Sequence, residues 1–124
     1  MLGNAIVWPM VGTARADVAK VFYGETLGLK LEHEDPFAMI FAVGDRKLRV
    51  NRVPAVVPST YAILGFHVKD IADIADKLEQ KAVVMERFPF LPADARGIWK
   101  APDGTQVAWF RDPDGNLLSI VQPV

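Results

Sequence analysis

The sequence predicts an α+β fold in which one β–α–β–β–β module is written twice, and three observations predict it. Two amphipathic helical stripes stand apart in the chain, each preceded by one strand-like segment and followed by three. The strand-plus-helix opening of the first half recurs about 55 residues later as Tyr61–Gln80. Gly44-Asp45, Pro102-Asp103-Gly104 and Pro113-Asp114-Gly115 supply turn residues ahead of strand-like segments.

In chain order, Ala5–Val11 reads as the first strand. Ala14, Val18, Val21 and Phe22 then recur at helical spacing, with Thr13 as N-cap and Gly28 as the left-handed residue past the end. Leu29–Glu34, Phe37–Val43 and Lys47–Val53 follow as strands, the last two joined by the Gly44-Asp45 hairpin turn. Pro54 and Pro58 break the pattern and mark a seam, so a single domain of residues 1–124 holds module one at about 1–54 and module two at about 59–124. Tyr61–Lys69 opens the second module. Ile71, Ile74, Ala75 and Leu78 form the apolar stripe of its helix, capped by Asp70 with Asp73 three residues on. Lys77 and Lys81 fall near the carboxyl end, where the helix dipole favours cations. Val83–Arg87, Gln106–Arg111 and Leu117–Gln122 complete the strands. Phe88–Ile98, with Pro89, Pro92 and Gly97, is irregular and is expected as a rim loop or lid.

Composition narrows the function. The 124 residues include no cysteine, 14 Lys+Arg against 15 Asp+Glu, and 51% apolar residues. A chain of this length buries roughly two thirds of its unfolded surface without staples. Lack of cysteine excludes disulfides, thiolate catalysis and Cys-ligated zinc or iron–sulfur sites. A net charge of −1 supplies no general field to attract nucleic acid or anionic lipid. No apolar stretch approaches the roughly 20 residues that span a bilayer, and Met1–Trp8 lacks the positive start of a signal peptide. A cytoplasmic protein with no membrane and no nucleic-acid partner is expected.

Phe22-Tyr23 followed by Leu27-Gly28-Leu29, then Gly65-Phe66-His67-Val68-Lys69-Asp70 opening a helix, then Trp109-Phe110-Arg111-Asp112-Pro113-Asp114-Gly115-Asn116, resembles the glyoxalase/bleomycin-resistance/dioxygenase group, the vicinal oxygen chelate superfamily. The three strings come in order and span nearly the whole chain. The resemblance implies two βαβββ modules whose curved mixed sheets form a cup, usually completed in a homodimer. In the family's metalloenzymes, four inward-facing His, Glu or Gln side chains hold a divalent metal that polarises vicinal substrate oxygens. Carried over residue by residue, three of those positions fall on Trp8, Ile63 and Ser119. The fourth falls on the strand Lys47–Val53, where alternation puts Leu48 and Val50 on the helix-covered face and Arg49 and Asn51 on the cup-lining face. An indole, an aliphatic side chain and a guanidinium do not chelate a divalent ion, and Asn and Ser are feeble neutral donors. His33 and His67 come from different modules with no carboxylate at a matching spacing. Neither a metal nor another cofactor is therefore expected.

The residues at those positions suit a flat apolar or aromatic ligand instead, since Trp8 shares a strand face with Ile6 and Met10 and is joined by Ile63. The expected function is small-molecule binding in the inter-module cup, as in the family's drug-sequestering proteins. Trp8, Met10 and Ile63 would supply contact, and Arg49, Asn51, His67 or Ser119 would fix orientation, Arg49 by recognising a carboxylate or phosphate. Trp99 and Trp109 can add walls, with core packing as the rival reading for each Trp. One alternative is an enzyme, either a lyase or dioxygenase of the lactoylglutathione-lyase or extradiol type with a non-standard site, or a metal-free catalyst using His67 as acid/base. Another is a filled cup in a domain that pairs with a second protein through its open sheet edge. Asp112, Asp114 and Asn116 read as turn chemistry.

Overall fold

Both halves of the chain build the same element order around one helix. In the computed structural model, which describes residues 1–124, the chain divides into two compact units, Met1–Val56 and Val57–Val124. The first unit runs β1 (Met10–Thr13), α1 (Ala16–Val21) continuing into a π-helical turn (Phe22–Thr26), β2 (Lys30–Glu34), β3 (Ala38–Val43) and β4 (Arg46–Arg52). The second runs β5 (Leu64–His67), α2 (Ile71–Gln80), β6 (Trp99–Lys100), β7 (Gln106–Arg111) and β8 (Leu117–Gln122). The sheets have the orders β1-β4-β3-β2 and β5-β8-β7-β6. In each, the first strand of the unit pairs in parallel with the last, and the other neighbours are antiparallel. The helix supplies the crossover that a parallel pair requires.

In the first unit, Met39 and Phe41 stand opposite Val50 and Leu48 across the β3–β4 ladder, and all four are buried. Gly44, at φ +58, makes the hairpin turn between them, as the sequence predicts. Buried Tyr23, in the π-turn, lies 5.9 Å from the Phe41 ring, and Phe22 meets Tyr23 edge-on at 5.2 Å. The Leu27 N–H donates to the Phe22 carbonyl, which widens the last turn by one residue. The expected inner stripe is corrected as well: Val18 and Val21 are exposed, while Ala19 and Tyr23, four residues apart and so on one face of the helix, are the buried pair. Thr13 does not cap the helix: its hydroxyl accepts from the Arg15 N–H in the turn before it.

The first strand is also shorter than its sequence suggests. It starts at Met10, not Ala5, with Arg49 of the parallel β4 beside Met10. Counting back, Val7 would face Arg46, the first residue of β4, and Ile6 would face the hairpin turn. Pro9 contributes its carbonyl to Arg49 but has no N–H to give.

In the second unit, Asp70 caps α2 by accepting from the Asp73 N–H, and Ile71, Ala75 and Leu78 are buried, as the sequence predicts. Leu64, Phe66, Ala108, Phe110, Leu118 and Ile120 alternate onto the sheet face that α2 covers. β5 is shorter than the expected Tyr61–Lys69, although Ile63 and Val68 continue its bonding pattern at the two ends. Of the expected strand Val83–Arg87, only Glu86 pairs, as an isolated bridge to Trp109. The first strand after α2 is instead Trp99–Lys100. The β7–β8 turn is held by Asp112, which accepts from the Asp114 and Asn116 N–H groups and from the Asn116 side chain. Arg111 braces it by donating to the Gly115 and Ser59 carbonyls.

Two glycines separate strain from crowding. Gly28, at φ +75, has open space where a side chain would stand. Gly97, at φ +87, would bring a Cβ within 2.7 Å of Met85 Cβ. Urea unfolding is expected to show Gly28→Ala losing about 1 kcal/mol and Gly97→Ala about 3 kcal/mol; equal losses would contradict the packing assigned to Gly97.

Candidate functional site

Each sheet has one helix to cover it, so one face of each sheet lacks a helix. The polar and aromatic residues collect on those faces.

On the first sheet, Arg49 and Asn51 are half-buried and point away from the face formed by Leu48 and Val50, as alternation predicts. The Arg49 Nε–H donates to Asn51 Oδ1 at 2.6 Å, so the two expected orienting residues meet. Met10, Arg49, Ile40 and His33 form one row across β1, β4, β3 and β2, and Met10 is exposed. Lys47 pairs with Glu32 beside this row. Trp8 is not on a strand face with Ile6 and Met10. It precedes β1 and is 40% exposed, and Ile6 is exposed as well.

On the second sheet, Gly65, Ser119 and Trp109 form a row across β5, β8 and β7. His67, Val121, Val107 and Trp99 form the next. Ile63, whose N–H donates to the Leu117 carbonyl, stands at the start of β5 and is 39% exposed, and His67 at its other end is exposed. Ser119 is only 6% exposed. Of the seven residues predicted from sequence, Ile63, His67 and Ser119 thus share this face, and Met10, Arg49 and Asn51 share the face of the first sheet.

Two residues of this face were not predicted as site residues. Phe88 meets Trp109 edge-on at 5.4 Å and lies tilted against Phe90 at 5.9 Å, while Trp99 tilts against Trp109 at 6.1 Å. Phe88 and Phe90 belong to the irregular segment Phe88–Ile98, which carries no periodic signal. That segment is stitched to its surroundings. The Glu86 N–H donates to the Trp109 carbonyl, Ala93 bridges to Trp99, Arg87 donates to the Ala95 carbonyl, and Arg96 pairs with Asp76 of α2.

The donors at the carried-over positions do not fit a divalent ion. Ile63 brings no donor and Ser119 one neutral hydroxyl, and nowhere do three His, Asp or Glu side chains converge. Two surface hollows lie apart from the open faces. One of about 500 Å³ is lined by Thr13–Val18, Arg52 and Val53, and one of about 230 Å³ lies between Ala75, Glu79 and the segment from Val83 to Arg96. Neither is lined by an aromatic ring or by a predicted site residue. No helix is long and apolar enough to cross a membrane.

The Glyoxalase/Bleomycin resistance protein/Dioxygenase superfamily model matches residues 5–120. Among solved structures, the chain is similar to a bleomycin-binding protein complexed with bleomycin, at 23% identity and a TM-score of 0.76, over 98% of this chain and 100% of that one. It is similar to a glyoxalase family protein from Bacillus anthracis at 19% identity and a TM-score of 0.76, over 98% and 96% of the two chains. It is also similar to a lactoylglutathione lyase from Agrobacterium tumefaciens at 18% identity and a TM-score of 0.72, over 98% and 96%. At these identities the likeness establishes the fold. No curated protein matches the sequence.

The carboxylates around the first sheet make its stability depend on pH. Backbone donation from Phe37 is the main cause holding the Asp35 carboxyl below its ordinary range, with His33 Nε2, 3.0 Å away, and the Ala38 N–H adding to it. The Lys20 ammonium, 2.8 Å away, does the same for Glu34, with Arg52 adding to it. A carboxyl depressed in the folded state stabilises the fold above its unfolded-state pKa, and that stability is lost as pH falls through the folded value. The urea midpoint is therefore expected to drop as pH is lowered below about 4. Asp35→Asn should have a lower midpoint at neutral pH and a shallower fall; an unchanged slope would contradict the role given to Asp35.

Proposed function

Since the chain belongs to the Glyoxalase/Bleomycin resistance protein/Dioxygenase superfamily, we propose that it is a metal-free small-molecule-binding member. It holds a partly aromatic or apolar ligand against its open sheet faces, in the manner of drug sequestration. One observation carries this reading. The face of the second sheet that would need several charged donors for metal chemistry offers one imidazole, His67, and one hydroxyl, Ser119, and carries Trp99, Trp109, Phe88 and Phe90 clustered on the β6 side. Aromatic rings give a planar ligand large contact area at low conformational cost, and offset or edge-on pairs add to burial alone. A structural relative described as complexed with bleomycin lends support.

Magnitudes indicate how the residues divide the work. Covering about 150 Å² of apolar ligand surface is worth about 4 kcal/mol, much of which association entropy consumes. Apolar contact therefore needs polar help to select a ligand. In this reading Ile63 adds apolar contact to the rings, and His67 and Ser119 supply polar atoms in the second unit. In the first unit Met10 gives a soft contact and Trp8 adjoins the strand. Arg49, anchored through Nε to Asn51, keeps its terminal N–H groups for an anionic ligand group. The family resemblance extends the proposal to a homodimer, which sedimentation equilibrium would distinguish from a monomer.

Calorimetric titration with a panel of bicyclic aromatic compounds tests the function. Trp109→Ala is expected to weaken binding at least about tenfold, and prior dialysis against EDTA to leave affinity unchanged. Full affinity in Trp109→Ala, or its loss after EDTA, would contradict the proposal.

A further inference from the structure

Ser119 stands in the second strand of its sheet, between Gly65 on β5 and Trp109 on β7. It is one of four buried polar or charged residues, and the other three are Thr13, Asp112 and Asn116. Asp112 and Asn116 satisfy each other in the β7–β8 turn, and Thr13 accepts from Arg15. Ser119 differs, because no hydrogen bond joins its hydroxyl to another residue. Every side-chain nitrogen or oxygen that is sealed from solvent has a partner, so the Ser119 hydroxyl must open onto the uncovered face. Its opening is set by Gly65. A Cβ built there would lie 3.1 Å from Ser119 Oγ, and glycine leaves that approach clear. Gly65 has no positive φ, so backbone conformation does not require glycine at this position.

The third member of the row supplies a ring. Trp109 has its aromatic neighbours on one side: Trp99 lies on β6, and Phe88 follows Glu86, which bridges to Trp109 along the β7 edge opposite β8. The flank of Trp109 toward β8 faces Ser119 and Gly65. Side chains stand roughly perpendicular to a sheet, so a flat ring set against that flank would stand on the row with its lower edge over the Ser119 hydroxyl.

We propose that Gly65, Ser119 and Trp109 form a subsite for heteroaromatic rings, in which the Ser119 hydroxyl hydrogen-bonds a nitrogen or oxygen on the ring edge while the ring stacks beside Trp109 above Gly65. This rests on the aromatic-ligand reading above and names the ligand class within it: heterocycles with an accepting or donating edge atom, in preference to hydrocarbons of equal shape. A hydroxyl can donate or accept, so both kinds of edge atom qualify.

The test uses quinoline and naphthalene, which match in shape and differ in one ring nitrogen, in calorimetric or fluorescence titrations of the full chain. The wild-type protein is expected to bind quinoline about fivefold more tightly, the ratio one neutral hydrogen bond gives. In Ser119→Ala the two probes should bind alike, and Gly65→Val, which fills the approach, should weaken both. Equal binding of both probes to the wild type, or a quinoline preference that survives in Ser119→Ala, would overturn the subsite while leaving the aromatic-ligand reading standing. Failure of both probes to bind at all would overturn that reading and the subsite with it.

Discussion

A four-stranded sheet has two faces, and each unit of this chain has one helix to cover them. That constraint organises the structure. The parallel pairing of first and last strands, β1 with β4 and β5 with β8, needs a crossover, and the crossover is the helix. The helix-covered faces then take Met39, Phe41, Leu48 and Val50 in one unit and Phe110, Leu118 and Ile120 in the other. Their burial fixes register, because a slip by one residue would send every apolar side chain to the wrong face. The other face of each sheet carries no helix and, beside buried Ala38, Ile40 and Leu117, has room for side chains chosen for something other than folding.

The two units have used that freedom differently. On the first sheet the open face carries, beside Met10 and Ile40, Arg49 joined to Asn51, Lys47 to Glu32, and His33 to Asp35. On the second it carries two tryptophans with two phenylalanines against them, beside Ser119, Gly65 and His67. The shared strand order shows that the repeat is structural. The two open faces differ in the side chains they carry. Fold membership leaves function open, and ligand binding is inferred from those side chains.

Legibility in the sequence followed the same division. Where a residue's place was set by burial, it could be read: the stripe of α2 with its Asp70 cap, the alternation that sends Arg49 and Asn51 away from Leu48 and Val50, and the Asp112–Asn116 turn. Where a place depended on a distant partner, it could not. β1 begins only at Met10, after Pro9, although β4 runs back to a position opposite Val7, and no periodicity around Trp8 records that. In α1 the buried pair is Ala19 and Tyr23, one residue round from the apolar stripe that includes Val18 and Val21, and those two stay outside. Trp109 reads from the sequence only as a possible wall with core packing as its rival, and its pairing with Ser119 puts it on the open face. Phe88 and Phe90 sit in a segment without period, and only the bridge from Glu86 to Trp109 brings them to the sheet.

In the proposed function the helix-free face of the second sheet receives a planar ligand without a metal. An amide chemical-shift titration with quinoline, on protein freed of metal by chelation, distinguishes that face from the rest of the molecule. Shifts are expected to concentrate at Gly65, Val107, Trp109, Ser119 and Val121, with the indole N–H resonances of Trp99 and Trp109, while Ile74 and Lys77 on α2 stay still. Shifts centred on α2, or a response that appears only after a divalent metal is added, would contradict it.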